Sequence, residues 1–147
     1  MSKQRRTFLS PGDATEFSKT ISGEDIDAFA RLSGDFDPVH VDEAYAAKTA
    51  FGKRIAHGAL VMGLLSTASS MMSRLSVERG SAGTPVSAGY DRIRFTRPVF
   101  AGDALRARYV IEDVDEAKGR TRSRLEITNQ EGAVCLVGTH ILAWVYP

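Results

Sequence analysis

The sequence predicts an α+β fold in which an antiparallel sheet of about five strands wraps around one long helix. Two patterns support this prediction. One long segment places apolar residues every three or four positions, which is typical of a helix with a wide buried face. After it, apolar and polar residues alternate in four long segments joined by short loops, which is typical of antiparallel strands.

The chain is predicted to begin with a short strand and a short helix. Residues 16–21 alternate polar and apolar side chains, as a half-buried strand does. Ser22 and Asp25 have the spacing of a capping box, so we expect a helix over residues 23–32. Gly34 follows and is expected to end this helix.

A loop and a second short helix are expected next. Residues 35–40 contain turn-forming side chains and are predicted to be a loop. Asp42 can cap a helix over residues 43–49. Residues 51–56 are expected to be irregular, because Gly52 interrupts them.

The second half of the chain is expected to hold the long helix and four strands. Residues 59–77 form the apolar helical segment, which at 1.5 Å per residue is about 28 Å long. A flexible linker follows at residues 80–85. The alternating segments are residues 86–95, 103–114, 120–129 and 133–145, and their loops lie at residues 98–102, 115–119 and 129–132.

Length and charge favour one domain with a small-molecule ligand. The 147 residues are about the size of a single domain, which we expect to span 1–147. Nineteen Lys and Arg against eighteen Asp and Glu give a net charge of +1, which argues against a nucleic-acid partner. Cys135 is the only cysteine, so an internal disulfide is excluded and a buried, inert thiol is expected.

No targeting or membrane segment is expected. The basic residues 1–7 are followed by Ser10-Pro11-Gly12 and not by an apolar stretch with a cleavage site. The longest apolar segment is interrupted by serines and by Arg74, so it is too polar to cross a bilayer. We therefore expect a cytoplasmic protein without membrane insertion.

Two short motifs carry the candidate chemistry. Asp35 and His40 lie five residues apart in a segment that Gly34 and Pro38 are expected to keep from being helical. A carboxylate and an imidazole held together can share one water and move protons. Taken alone, the same residues could simply form a turn. The second motif, His57-Gly58, stands at the start of the long helix and favours the functional interpretation.

The motif Asp35-Phe36-Asp37-Pro38-Val39-His40 resembles the MaoC-like dehydratases, the family that includes the R-specific enoyl-CoA hydratases. Their pattern is Asp-x-Asn-Pro-x-His, so Asp37 departs from it. The likeness continues through residues 41–46 and Phe51-Gly52 to His57-Gly58. It implies a hotdog fold and the hydration of trans-2-enoyl thioesters to (R)-3-hydroxyacyl products, or the reverse dehydration.

The resemblance also implies a division of roles. Asp35 would hold and deprotonate the water that attacks the β-carbon, and His40 would bind the same water and protonate the α-carbon. Gly58 stands where the long helix begins, so its amide has no helical acceptor and could stabilise the enolate oxygen. The alternative is that Gly58 only gives the helix a flexible entry.

Three further residues have open roles. His57 could contact substrate, although a structural hydrogen bond is the better interpretation. Ser66 matches a serine that lies near the catalytic pair in family members, but it could equally bond back to a helix carbonyl. Asp37 is expected to accept backbone amides in the turn, as Asn does elsewhere in the family.

Arginines recur at every second position in three of the predicted strands, which indicates a solvated outer sheet face. Some of these, or Arg97 or Lys53 near the loops, could bind the phosphates of coenzyme A. No metal or nucleotide motif is present, so we expect no metal and no cofactor beyond coenzyme A as part of the substrate. The resemblance implies an acyl-CoA or acyl-carrier-protein thioester as partner and a homodimer with its active sites at the shared boundary.

Two other functions are compatible with this fold. A hotdog thioesterase commonly uses an acidic residue on the long helix, but residues 59–77 contain no Asp or Glu. A noncatalytic acyl-thioester-binding protein would be indicated by a missing catalytic residue, and both Asp35 and His40 are present.

Overall fold

The computed structural model describes residues 5–147 and contains a five-stranded antiparallel sheet. The strands are β1 (Ala14–Thr20), β2 (Thr84–Phe95), β3 (Ala104–Asp115), β4 (Arg120–Thr128) and β5 (Val134–Val145). The helices are α1 (Gly23–Ser33), α2 (Pro38–Val41), α3 (Glu43–Ala47) and α4 (Gly58–Glu78). The order across the sheet is β1-β3-β4-β5-β2, and α4 packs against the sheet, most extensively on β1 and β3. The predicted hotdog arrangement is confirmed.

The sheet has one buried and one solvated face, as its period-two pattern predicts. On β3, Leu105, Ala107 and Tyr109 are buried against the helix, while the arginines between them are exposed. The outer face is partly neutralised, because Arg106 pairs with Glu16 at 2.6 Å. The interpretation of the β3 and β4 arginines as a solvated face is confirmed.

Strand β2 departs from the simple alternation. Its register with β5 shifts twice, and Arg92 takes a φ of 53° at the second shift. Such a bulge bends the strand and re-aims the side chains beyond it. As a result Phe95 is 53% exposed and lies beside the start of α4, a position that alternation alone does not predict.

The short helices differ slightly from expectation. The capping box of Ser22 and Asp25 is present, and Gly34 ends α1 at a φ of 82°. The segment predicted to be a loop contains a helical turn, α2, with Pro38 at its first position. The prediction that Pro38 prevents helix there is wrong, because the first residue of a helix needs no amide donor and the φ of proline suits it.

The sequence predicts no membrane-spanning segment. Within residues 5–147, no helix combines the length and apolar character needed to cross a bilayer. The expectation about an export signal concerns the N-terminus, of which residues 1–4 lie outside the described residues.

A polar cluster is buried in the sheet beneath α4. His140 is fully buried, and hydrogen bonds of 2.7 and 2.8 Å join its two nitrogens to the Ser87 and Tyr109 hydroxyls. Burial lowers the pKa of His140 to about 4, because the apolar surroundings disfavour the charged imidazolium. The neutral ring is therefore part of the folded state.

This burial predicts a loss of stability in mild acid. Between pH 6.5 and 4 the unfolded chain protonates His140 while the folded protein does not, so stability falls as the pH drops through this range. The contribution is about 3 kcal/mol, from a pKa difference of about 2.5 units. Urea unfolding of the protein and of His140→Gln at pH 7, 5.5 and 4.5 measures it. Equal pH dependence in both proteins would contradict the prediction.

Candidate active site

The turn between α1 and α2 brings the two candidate catalytic side chains together. The Asp35 carboxylate accepts the Asp37 amide at 3.1 Å, and the Asp37 carboxylate accepts the Val39 amide at 3.2 Å. These bonds fold the chain back on itself and start α2. An oxygen of Asp35 and a ring nitrogen of His40 then lie within 4.8 Å of one another, which one water can bridge with two hydrogen bonds of about 2.8 Å.

The orientation of the His40 ring is set by a backbone carbonyl. Its Nδ1 lies 2.8 Å from the carbonyl oxygen of Ile55, which can only accept, so Nδ1 carries a proton. The amide of Ile55 in turn donates to the Val39 carbonyl at 3.2 Å. The neutral ring therefore has its lone pair on Nε2, the nitrogen that is free to contact a water.

Arg54 joins the three short helices, a role that the sequence analysis missed. Its guanidinium donates to Asp27 of α1 at 2.7 Å, to Glu43 of α3 at 3.0 Å and to the His40 carbonyl of α2 at 3.2 Å. The hydrogen bond to Asp27 is the main reason that the pKa of Arg54 is raised. Asp27 and Glu43 were the signal in the sequence that could have indicated this role of Arg54, because two carboxylates that come together need a cation between them.

His57 lies behind the candidate catalytic pair of Asp35 and His40. It is 2% exposed, and its Nε2 donates to the Asp35 carbonyl at 3.0 Å. Its ring stacks on that of His40 with 3.9 Å between centroids and 27° between planes, and it also contacts Phe29. The structural hydrogen bond that the sequence favoured for His57 is present in the structure.

The N-terminus of α4 opens toward the same region. His57 is the N-cap residue, but its side chain makes no capping bond, and no acidic residue lies in the first turn. Gly58 is the first helical residue, so its amide has no intrahelical acceptor. A Cβ at this position would come within 2.7 Å of the Phe95 ring, so a larger residue would have to displace the end of that half-exposed side chain.

A cavity of about 400 Å³ lies against His40 and Gly58. Most of its walls are apolar and come from the 51–61 segment and from the β2–β3 connection. The lining residues are His40, Phe51, Ile55, Ala56, Gly58, Val61, Phe95, Thr96, Arg97, Pro98, Val99 and Cys135. Cys135 is buried, as expected, and burial raises the pKa of its thiol, which suits an inert wall residue.

Two groups of predicted residues lie elsewhere. Ser66 is exposed two turns along α4 and is not among the cavity residues, and its carbonyl accepts the Ser69 hydroxyl. Its place near the catalytic pair stays a prediction. The strand arginines lie on the outer face of the sheet, whereas Arg97 lines the cavity and Lys53 packs over the Phe100 ring at 4.6 Å.

The geometry suits a bridging water better than a metal ion. Asp35, His40 and His57 each bring one possible ligand atom within 4.8 Å of the others. The two imidazole planes are stacked, however, and ring lone pairs lie in those planes. Two stacked rings therefore cannot both direct a lone pair at one ion. The arrangement can hold a water and an anionic oxygen side by side, at His40 and at the amide of Gly58.

The fold and the site together define a hotdog protein with an Asp and His pair beside the N-terminus of its central helix. Residues 9–133 match the family described as MaoC like domain. The chain belongs to this family.

Comparisons with individual proteins agree. The chain is 32% identical to the (R)-specific enoyl-CoA hydratase of Aeromonas caviae, over 91% of this chain and 94% of the relative. It is 34% identical to the 3-hydroxybutyryl-CoA dehydratase of Methylorubrum extorquens, over 84% and 69% of the two chains. Among solved structures, the unliganded R-hydratase of Pseudomonas aeruginosa superposes with a TM-score of 0.77 at 34% identity, covering 95% of this chain and 84% of the other.

Proposed function

We propose that the protein hydrates trans-2-enoyl-CoA to (R)-3-hydroxyacyl-CoA or catalyses the reverse dehydration. The observation that supports this proposal most directly is the water-sized separation of Asp35 and His40 beside an uncapped helix N-terminus. Relatives that share about a third of the sequence bear the names of R-specific hydratases and dehydratases. The reaction needs only a water, the two side chains and one amide.

In this reaction Asp35 holds the water and takes its proton as the oxygen attacks the β-carbon. Charge moves onto the thioester oxygen, where the Gly58 amide and the positive end of the α4 dipole stabilise it. Ile55 fixes the His40 ring so that its Nε2 lone pair can accept this proton from Asp35 and pass it to the α-carbon. One proton thus moves from the water to the α-carbon, and both side chains return to their starting states. Because both groups act from one side, the addition is syn.

The substrate carrier is expected to enter over Arg97. Its side chain lines the cavity, where a phosphate of coenzyme A or of a carrier-bound pantetheine could meet it. The apolar walls around Phe51, Val61 and Val99 suit an acyl chain.

A thioesterase mechanism has less support. Helix α4 contains one acidic residue, Glu78, at its far end and about 30 Å along the helix from Gly58. A carboxylate at that distance cannot activate a water at the site.

The activity is tested with crotonyl-CoA and longer 2-enoyl-CoAs. We expect the absorbance of the enoyl-thioester band to fall without release of free thiol, and chiral analysis to find the (R)-3-hydroxyacyl product. Release of thiol without hydration would move the assignment to a thioesterase, and no reaction with any of them would favour a noncatalytic binding protein.

The roles of the three polar residues of the motif can be separated by substitution. Asp35→Asn and His40→Ala are expected to lower kcat by about 100-fold or more, because each removes a proton-transfer group. Asp37→Asn is the matched control, since an amide oxygen can accept the Val39 amide equally well. It is expected to retain most of the activity. Comparable losses at all three positions would refute these assignments.

We also propose a homodimer. Strand β2 lies at an edge of the sheet, where Val86 is 41% exposed, and Met71 on α4 is 40% exposed. Burying these groups against a second copy would remove apolar surface from water. Light scattering after size exclusion should give twice the mass of one chain, and Val86→Lys should shift it toward one chain. Leu32→Lys, on α1, is the control that should leave the dimer intact. A monomeric wild-type protein would contradict the proposal.

A further inference from the structure

His57 touches both members of the proposed catalytic pair without facing the cavity. Its Nε2 donates to the Asp35 carbonyl at 3.0 Å, and its ring is stacked on His40 at 3.9 Å. Neither Asp35 nor His57 is among the residues that line the cavity, but Asp35 is exposed whereas His57 is 2% exposed. Because its ring is buried, His57 acts on the site through its neighbours and not through substrate.

The backbone of His57 links the start of α4 to the Asp35 turn and the His40 ring. It is the N-cap of α4, and its carbonyl accepts the Val61 amide at 3.2 Å, which fixes the first turn of the helix. Gly58, with the proposed oxyanion donor, is the next residue. The side chain and backbone of His57 therefore link the Asp35 turn, the His40 ring and the Gly58 amide in one unit.

The hydrogen bonding of His57 is incomplete. Its Nδ1 is buried and has no hydrogen-bond partner among the described residues. A buried unpaired nitrogen costs stability, so packing alone would favour an apolar ring or a fully bonded side chain. The two contacts that the histidine makes here are the stacking of its ring on His40 and the hydrogen bond to the Asp35 carbonyl.

We propose that His57 is a positioning residue that sets the separation of the Asp35 carboxylate and the His40 imidazole. It fixes the Asp35 backbone through Nε2, and it supports one face of the His40 ring. Phe29, 4.7 Å from the His57 ring, holds this support in place. The effect on catalysis rests on the proposed hydratase activity, whereas the effect on the His40 ring does not.

Three substitutions separate the two contacts. His57→Gln keeps a donor at the position of Nε2 and loses the ring, His57→Phe keeps the ring and loses the donor, and His57→Ala loses both. We expect His57→Ala to lower kcat for crotonyl-CoA hydration by about 100-fold with KM within about threefold, since misplaced groups lower kcat by this much. His57→Gln and His57→Phe should each lose less than His57→Ala.

The matched control is His140→Gln. It also removes a buried histidine, but from the sheet cluster with Ser87 and Tyr109. It should lower the melting temperature and leave kcat unchanged. A loss of kcat in His140→Gln as large as in His57→Ala would mean that reduced stability explains both, and it would overturn the proposal.

A second measurement does not depend on activity. Nitrogen NMR of the free protein should report His40 with its proton on Nδ1, as its bond to Ile55 requires, and His57→Ala should move His40 toward the mixed tautomers of an exposed imidazole. If the wild type lacks hydratase activity but this change occurs, the proposed function fails and the positioning role holds. An unchanged His40 spectrum, or a raised KM at constant kcat, would overturn the positioning role.

Discussion

The site depends on the way that residues 54–57 are held against the short helices. Arg54 ties α1, α2 and α3 together, Ile55 exchanges hydrogen bonds with α2 through both its amide and its carbonyl, and His57 bonds to the Asp35 carbonyl. This segment has almost no secondary structure of its own. Its rigidity comes from long-range hydrogen bonds, including that of the Ala56 amide to the Val99 carbonyl. Without them, Asp35 and His40 would be two polar side chains on a surface turn.

The central helix contributes through the end that it leaves uncapped. A side chain such as serine at the N-cap would satisfy the first amides of α4 and stabilise the helix. Here the N-cap is His57, whose side chain is committed to Asp35. The amide of Gly58 is thus left available beside the cavity, and the stability that a cap would supply comes instead from burying α4 in the sheet. The end of α4 that lacks a side-chain cap is therefore the end at which we propose that the hydration occurs.

The motif and the fold were predictable because they follow from local chemistry. Alternation of apolar residues identified four strands, and the spacing of Ser22 and Asp25 identified the start of α1. The bend of β2 at Arg92 was not predictable, because a bulge depends on register with β5 and not on the composition of one strand. That bend is what places Phe95 over Gly58.

The amino-acid sequence is enough to predict the antiparallel sheet around one helix, the family, and the order of Asp35, His40 and Gly58 along the chain. These properties are encoded in periodicity and in short motifs, which neighbouring residues decide. The stacking of His57 on His40 and the binding of three helices by Arg54 could not be predicted in this way. The Arg54 contacts join residues 11 to 27 positions apart on separate helices, and such residues meet only when those helices pack together.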